Sequence, residues 1–131
     1  MRFLLWYLAA GLAATAVQTF VTLHFASVAG ASIPNIGASG AIAGVLGAYL
    51  VLLPRASVLT AFIFFFVFLR EVPAILFLGI WFLFQLWDGG WAVLHPHQGG
   101  GVAFFAHIGG FVFGLATVFL VAKRRPLQPT W

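Results

Sequence analysis

Two residues of this chain carry side chains suited to acyl transfer. Ser39 lies in Gly37-Ala38-Ser39-Gly40-Ala41 and His107 in Ala106-His107-Ile108-Gly109-Gly110, each early in a long uncharged stretch. A hydroxyl within reach of an imidazole can act as a nucleophile, the ring taking its proton as the oxygen attacks a carbonyl. Ser39 also follows a loop containing Pro34 and Asn35 and opens a helical stretch, so backbone amides not used by that helix lie nearby, including its own, and can stabilise an oxyanion. Blander readings stand beside these. Gly37-Ala38-Ser39-Gly40 is also what a small-residue helix start looks like where two backbones approach. A buried imidazole can be satisfied by a carbonyl or hydroxyl alone. Against that, an ionisable side chain inside an apolar segment of membrane length is costly and marks a candidate functional site.

The elements that must position these residues are set by composition. The chain has 131 residues, 63% of them apolar and 6% charged, about a quarter of the charge of an average soluble domain. It belongs in a lipid bilayer, and its length suits one domain, 1-131, with no soluble module. The expected fold class is all-α: a polytopic transmembrane helical bundle of about four spans. Cysteine is absent, which excludes disulfides. The net charge of +4 comes from Lys and Arg scattered along the chain rather than from the clustered basic face that nucleic acid requires.

Four stretches approach the roughly 20 residues that cross a bilayer: Phe3 to Leu23, Ile36 to Leu53, Val72 to Trp87 and Val102 to Ala122. A further apolar run, Ala56 to Leu69, is too short to span and is expected to be interfacial, re-entrant or a helix extension. Pro73 is tolerable as an early helix residue. The run after Arg2 is longer than the 7–15 residues of a signal-peptide core, although Ser27-Val28-Ala29 loosely resembles a cleavage site.

The charges then orient the spans. With Arg2, Arg55, Arg70 and Lys123-Arg124-Arg125 inside, the two outer segments, His24 to Asn35 and Asp88 to Gly101, hold no Lys or Arg. This is the positive-inside pattern, with both termini cytoplasmic. Ser39 and His107 then lie at similar depth, near the outer ends of two inward-running spans. Gly40 and Gly44 are four residues apart, as are Ala106, Gly110 and Gly114, and such faces permit close helix packing. Meeting there, they would allow a Ser39 Oγ to His107 hydrogen bond of about 2.6–3.2 Å, or somewhat looser without substrate.

Other polar residues offer less. Asp88 and Glu71 are the only acids and fall on opposite membrane faces, which argues against a carboxylate pair. His95-Pro96-His97 lacks a third ligand and any His-Glu-x-x-His pattern, so no metal is expected. His24 reads as an outer-loop residue. Gly99-Gly100-Gly101 is a loop or hinge, not a phosphate cradle. Trp81, Trp87 and Trp91 read partly as interfacial anchors.

The sequence resembles the rhomboid intramembrane serine proteases. The likeness rests on Gly37-Ala38-Ser39-Gly40-Ala41-Ile42-Ala43-Gly44-Val45-Leu46-Gly47-Ala48 followed, one span later, by Ala106-His107-Ile108-Gly109-Gly110-Phe111-Val112-Phe113-Gly114. Arg2-Phe3-Leu4-Leu5-Trp6-Tyr7-Leu8 resembles the start of that family's third core helix, and Val72 to Trp87 its fifth. The resemblance implies Ser39 as nucleophile, His107 as general base and the Ser39 amide as an oxyanion donor. It also implies a capping loop near Gly99 to Phe105, a lateral substrate route along Val72 to Trp87, and a bacterial inner membrane location. The substrates implied are transmembrane segments of other proteins, cleaved by water without a cofactor.

Two features depart from the family pattern. The family's first two core helices, the second of which supplies His and Asn to the oxyanion hole in relatives, have no counterpart in this sequence, so weak cleavage by this chain alone is expected. An aromatic that often packs on the catalytic histidine is Ala43 here. The rival expectations are a non-catalytic rhomboid-like protein that binds transmembrane helices, and part of a transporter or channel.

The charge pattern generates a topological prediction: single cysteines introduced near Met1 and at Trp131 react with membrane-impermeant reagent only from the cytoplasmic side. Labelling of the Trp131 position from outside overturns the four-span arrangement.

Overall fold

The computed structural model describes residues 1–26, 38–63, 65–95 and 103–122. The expected hinge at Gly99 to Gly101, the first part of the expected cap at Gly99 to Phe105, His97, the Lys123-Arg124-Arg125 cluster, and most of the outer segment before Ser39 lie outside them. Four α-helices are described: α1 (Arg2–Phe25), α2 (Ser39–Leu52), α3 (Ala74–Leu94) and α4 (Phe104–Thr117), which tightens into a 3-10 turn at Val118–Leu120. Between α2 and α3 lie two antiparallel strands, β1 (Ser57–Ile63) and β2 (Val67–Pro73).

Helices α1, α2 and α4 meet through small side chains. A Cβ added to Gly44 would come within 2.8 Å of Ala10 Cβ and 3.2 Å of the Gly110 carbonyl oxygen, and one on Gly40 would meet Ala14 Cβ and the Ala106 carbonyl. Side chains on Gly110 and Gly114 would collide with the carbonyl oxygens of Gly40 and Gly44. The steps of four match in direction on α2 and α4, so these helices run parallel; on α1 the order is reversed, so it runs antiparallel to both. Ala10, Ala14 and Ala43 are almost fully buried, whereas Leu5, Leu12 and Leu23 on α1, and Leu83 and Phe84 on α3, are exposed. Small residues inside and large apolar residues outside invert a water-soluble core and suit a bundle whose solvent is lipid.

Polar contacts fasten the bundle's other end. Trp6 Nε1 donates to Thr117 Oγ1 at 2.8 Å, and that hydroxyl donates to the Phe113 carbonyl at 2.7 Å. The Arg2 guanidinium donates to the Leu120 carbonyl at 3.0 Å, placing a cation on carbonyls that the helix end leaves unpaired.

Among the described residues α1 and α3 are long and apolar enough to cross a bilayer by themselves, and α2, with 14 residues, and Phe104–Leu120 are shorter apolar helices. Several expectations about individual elements are corrected. Pro54 explains the end of α2, because the residue before a proline disfavours helical geometry. The run from Ala56 to Leu69 is not a helix extension but holds β1 and the first three residues of β2, so the fold is not purely α. Its Val, Ile, Phe and Thr content suits strands, and the strand ends are tied to α3 by Ala74 N–H to Ala56 C=O at 2.8 Å and Ile75 N–H to Pro54 C=O at 3.0 Å. Pro73 is the N-cap of α3 rather than part of it. That helix continues through Asp88 to Leu94, moving Asp88 out of the expected outer loop. Its chain can pass there because Gly89 leaves room for Phe105, 3.3 Å from where a Cβ would sit. His24 likewise belongs to the last turn of α1, its Nδ1 2.7 Å from the Phe20 carbonyl oxygen.

Replacing Gly44 or Gly110 by leucine forces bulk against backbone. Each variant is expected to lose about 1–3 kcal/mol or more of stability, read as a lower unfolding midpoint in detergent than Gly79→Leu, whose site is open. Equal midpoints for all three would show that these glycines do not hold the helices together.

Candidate functional site

Ser39 is the first residue of α2 and His107 lies in the first turn of α4. The first described bond of α2 runs from Ile42 N–H to Ala38 C=O at 3.0 Å, so helix geometry leaves the Ser39, Gly40 and Ala41 amides without acceptors inside α2. Ser39 is exposed and His107 partly buried. The two helix starts are adjacent: the Cβ position of Gly40 is 3.3 Å from the Ala106 carbonyl oxygen and 3.6 Å from Ala106 Cβ. Ser39 and His107 each sit one residue from this contact. No hydrogen bond joins them in this structure. The four glycines, Gly40, Gly44, Gly110 and Gly114, are buried where the helices cross.

The imidazole is engaged on its other side. His107 Nδ1 lies 2.7 Å from Gln85 Oε1, a donor-to-acceptor distance at the short end of the N–H···O range. Gln85 is the buried polar residue among those described, at 9% exposure. The Trp81 ring, one turn earlier on α3, lies 5.9 Å from the His107 ring at 40° and 5.7 Å from Phe111, while Phe82 stacks on Phe111 at 4.6 Å. Trp81 therefore packs against α4 inside the bundle rather than serving as an interfacial anchor; Trp87 and Trp91 are exposed.

A second glutamine supports the start of α4 from α1. Gln18 Oε1 accepts the Ala106 N–H at 3.1 Å and its Nε2 donates to Thr22 Oγ1 at 3.1 Å. A side-chain oxygen on a first-turn amide does the work of an N-cap supplied from another helix; the local N-cap, Ala103, makes no side-chain bond.

The sequence reading missed both glutamines. The available signal was an amide within an otherwise apolar run of membrane length, a residue type that hydrogen-bonds across helices there. Asp88 and Glu71 do not join the site: Asp88 is near the end of α3 and Glu71 is on β2, paired with Leu59. Among the described residues no three His, Cys, Asp or Glu side chains gather where a metal could be held.

The rhomboid domain family matches residues 1–124. The chain belongs to the rhomboid family. It is an integral membrane protein of that family, mostly helical. Searches of curated proteins and of solved structures return no match. In this rhomboid chain the aromatic neighbour of the α4 histidine comes from Trp81 on α3, whereas Ala43 on α2 packs against Phe111, Ala74 and Leu78.

Gln18→Met keeps the side-chain length and removes both hydrogen bonds. A loss of about 1 kcal/mol is expected, with faster amide exchange at Ala106 and unchanged protection in the middle of α2. Unchanged Ala106 exchange would show that Gln18 does not cap α4.

Proposed function

We propose that this chain is an intramembrane serine endopeptidase that cleaves transmembrane segments of other membrane proteins. Ser39 is the nucleophile and His107 the general base, and the Ser39 backbone amide donates to the oxyanion. The observation that carries this reading is the contact of Gly40 with Ala106, which brings the two helix starts together. Attack by Ser39 Oγ on the scissile carbonyl passes its proton to His107. The tetrahedral oxyanion forms beside amides that α2 does not use, where preorganised donors stabilise developing charge. Collapse expels the amine with the proton returned by His107, and water repeats the sequence on the acyl-enzyme. In the proposed arrangement four segments cross a bacterial inner membrane, both termini are cytoplasmic, and substrate approaches laterally along α3. No cofactor or nucleic acid takes part.

The absence of a Ser39 to His107 hydrogen bond is compatible with this role, because catalytic bonds are often long without substrate and tighten on binding. The rival is a non-catalytic rhomboid protein that binds transmembrane helices, and the same assay separates the two.

The test is cleavage of a fluorescent transmembrane peptide in proteoliposomes by this chain and by a form preceded by two rhomboid-type helices, each with Ser39→Ala and His107→Ala counterparts. Turnover is expected to fall to background in both variants. Turnover that survives Ser39→Ala overturns the mechanism; peptide binding with no turnover in either form supports the binding protein instead.

A further inference from the structure

A neutral imidazole has one N–H, and the partner of one nitrogen decides which carries it. An amide oxygen can only accept. With Gln85 Oε1 at 2.7 Å from His107 Nδ1, the proton resides on Nδ1 and the lone pair on Nε2. From this geometry we infer that Gln85 is a positioning residue, holding His107 in the Nδ1–H tautomer so that Nε2 is left free as the base. The inference rests on the general-base role proposed above for His107.

The surrounding packing gives Gln85 leverage. Trp81, Gln85 and Gly89 are spaced four apart on α3 and all face α4: Trp81 lies beside His107 and Phe111, Gln85 bonds His107, and Gly89 admits Phe105. The glutamine is buried, so little water competes for the ring nitrogen, and a wrongly paired amide there is costly. A neutral amide also suits the bilayer better than a carboxylate, because it fixes the ring without bringing a charge into an apolar segment. The bond joins the helix proposed to line the substrate route to the helix that carries the base, so displacing α3 removes the tautomer lock.

The experiment measures the His107 tautomer by nitrogen NMR of the full chain in detergent micelles with labelled histidine, above the ring's titration range. The His107 signals are assigned by their loss in His107→Ala. The Nδ1–H form is expected in the wild-type chain, and Gln85→Met, which preserves length and apolar fit, is expected to release a mixture of the two tautomers. For cleavage, Gln85→Met is expected to lower kcat about tenfold, the scale of one hydrogen bond, with KM unchanged. An Nε2–H tautomer in the wild-type chain overturns the inference without any variant, since it means that the amide is reversed and donates to Nδ1. An unchanged tautomer in Gln85→Met, or a shifted tautomer with unchanged kcat, also overturns it. If no form shows Ser39-dependent turnover, the proteolytic reading fails, and with it the positioning role; the tautomer measurement then still reports whether Gln85 sets the ring.

Discussion

The close approach of α2 to α4 is the constraint on which the rest of the bundle depends. Carbonyl oxygens of Gly40 and Gly44 lie where side chains on Gly110 and Gly114 would have to go. Lipid tails are as apolar as leucine, so helices in a bilayer gain little from hiding large side chains and associate instead through dense packing and polar contacts. Glycine at these crossings lets backbone meet backbone. Ala10 and Ala14 fill the third side from α1. The same packing sets the start of α2 against the start of α4, so the contact that holds the bundle together also brings Ser39 and His107 into one neighbourhood.

Around that seam, among the described residues, side-chain hydrogen bonds between helices are few. Gln18 supports the start of α4, Gln85 orients His107, and Trp6 with Thr117 fastens the opposite end. Each gives a side-chain polar atom a partner that an apolar medium does not supply. Helix α3 is joined to α4 mainly through aromatic stacking on Phe111 and the Gln85 bond, a sparser attachment than the backbone contact of α2. It is preceded by β2, and Phe65 and Phe66 in the bend before that strand, with Phe68 on it, are exposed. A two-stranded hairpin is marginal in water, and these aromatics suit it to the boundary between lipid and water.

Much of this was legible from residue types alone. Low charge with long apolar runs requires a membrane, and the four-residue spacing of small residues marks helix faces able to pack closely. The ordered Ser39 and His107 motifs mark a rhomboid chain. These features are local: each depends on side-chain size, charge or spacing within one segment, so no fold is needed to see them. The β1 and β2 hairpin was less visible because short apolar runs suit an interfacial helix as well as strands, and periodicity cannot choose between them.

Tertiary structure decided what depends on pairs of distant segments. Nothing local distinguishes Gln85, which finds His107 across a helix interface, from an amide facing a headgroup, or Gln18 from an ordinary helix residue. Trp81 turns inward because Phe111 and His107 lie opposite it, whereas Trp87, on the same helix, faces outward. The end of α3 was misplaced for the same reason. Asp88 opened the expected outer segment, yet the helix runs on to Leu94, with Gly89 packed closely against Phe105 of α4. The sequence by itself determined the solvent, the class of helix packing and the family; the pairing of polar groups across helices belonged to the fold, because a hydrogen bond needs two partners within about 3 Å and spacing along one chain does not specify which distant partner arrives.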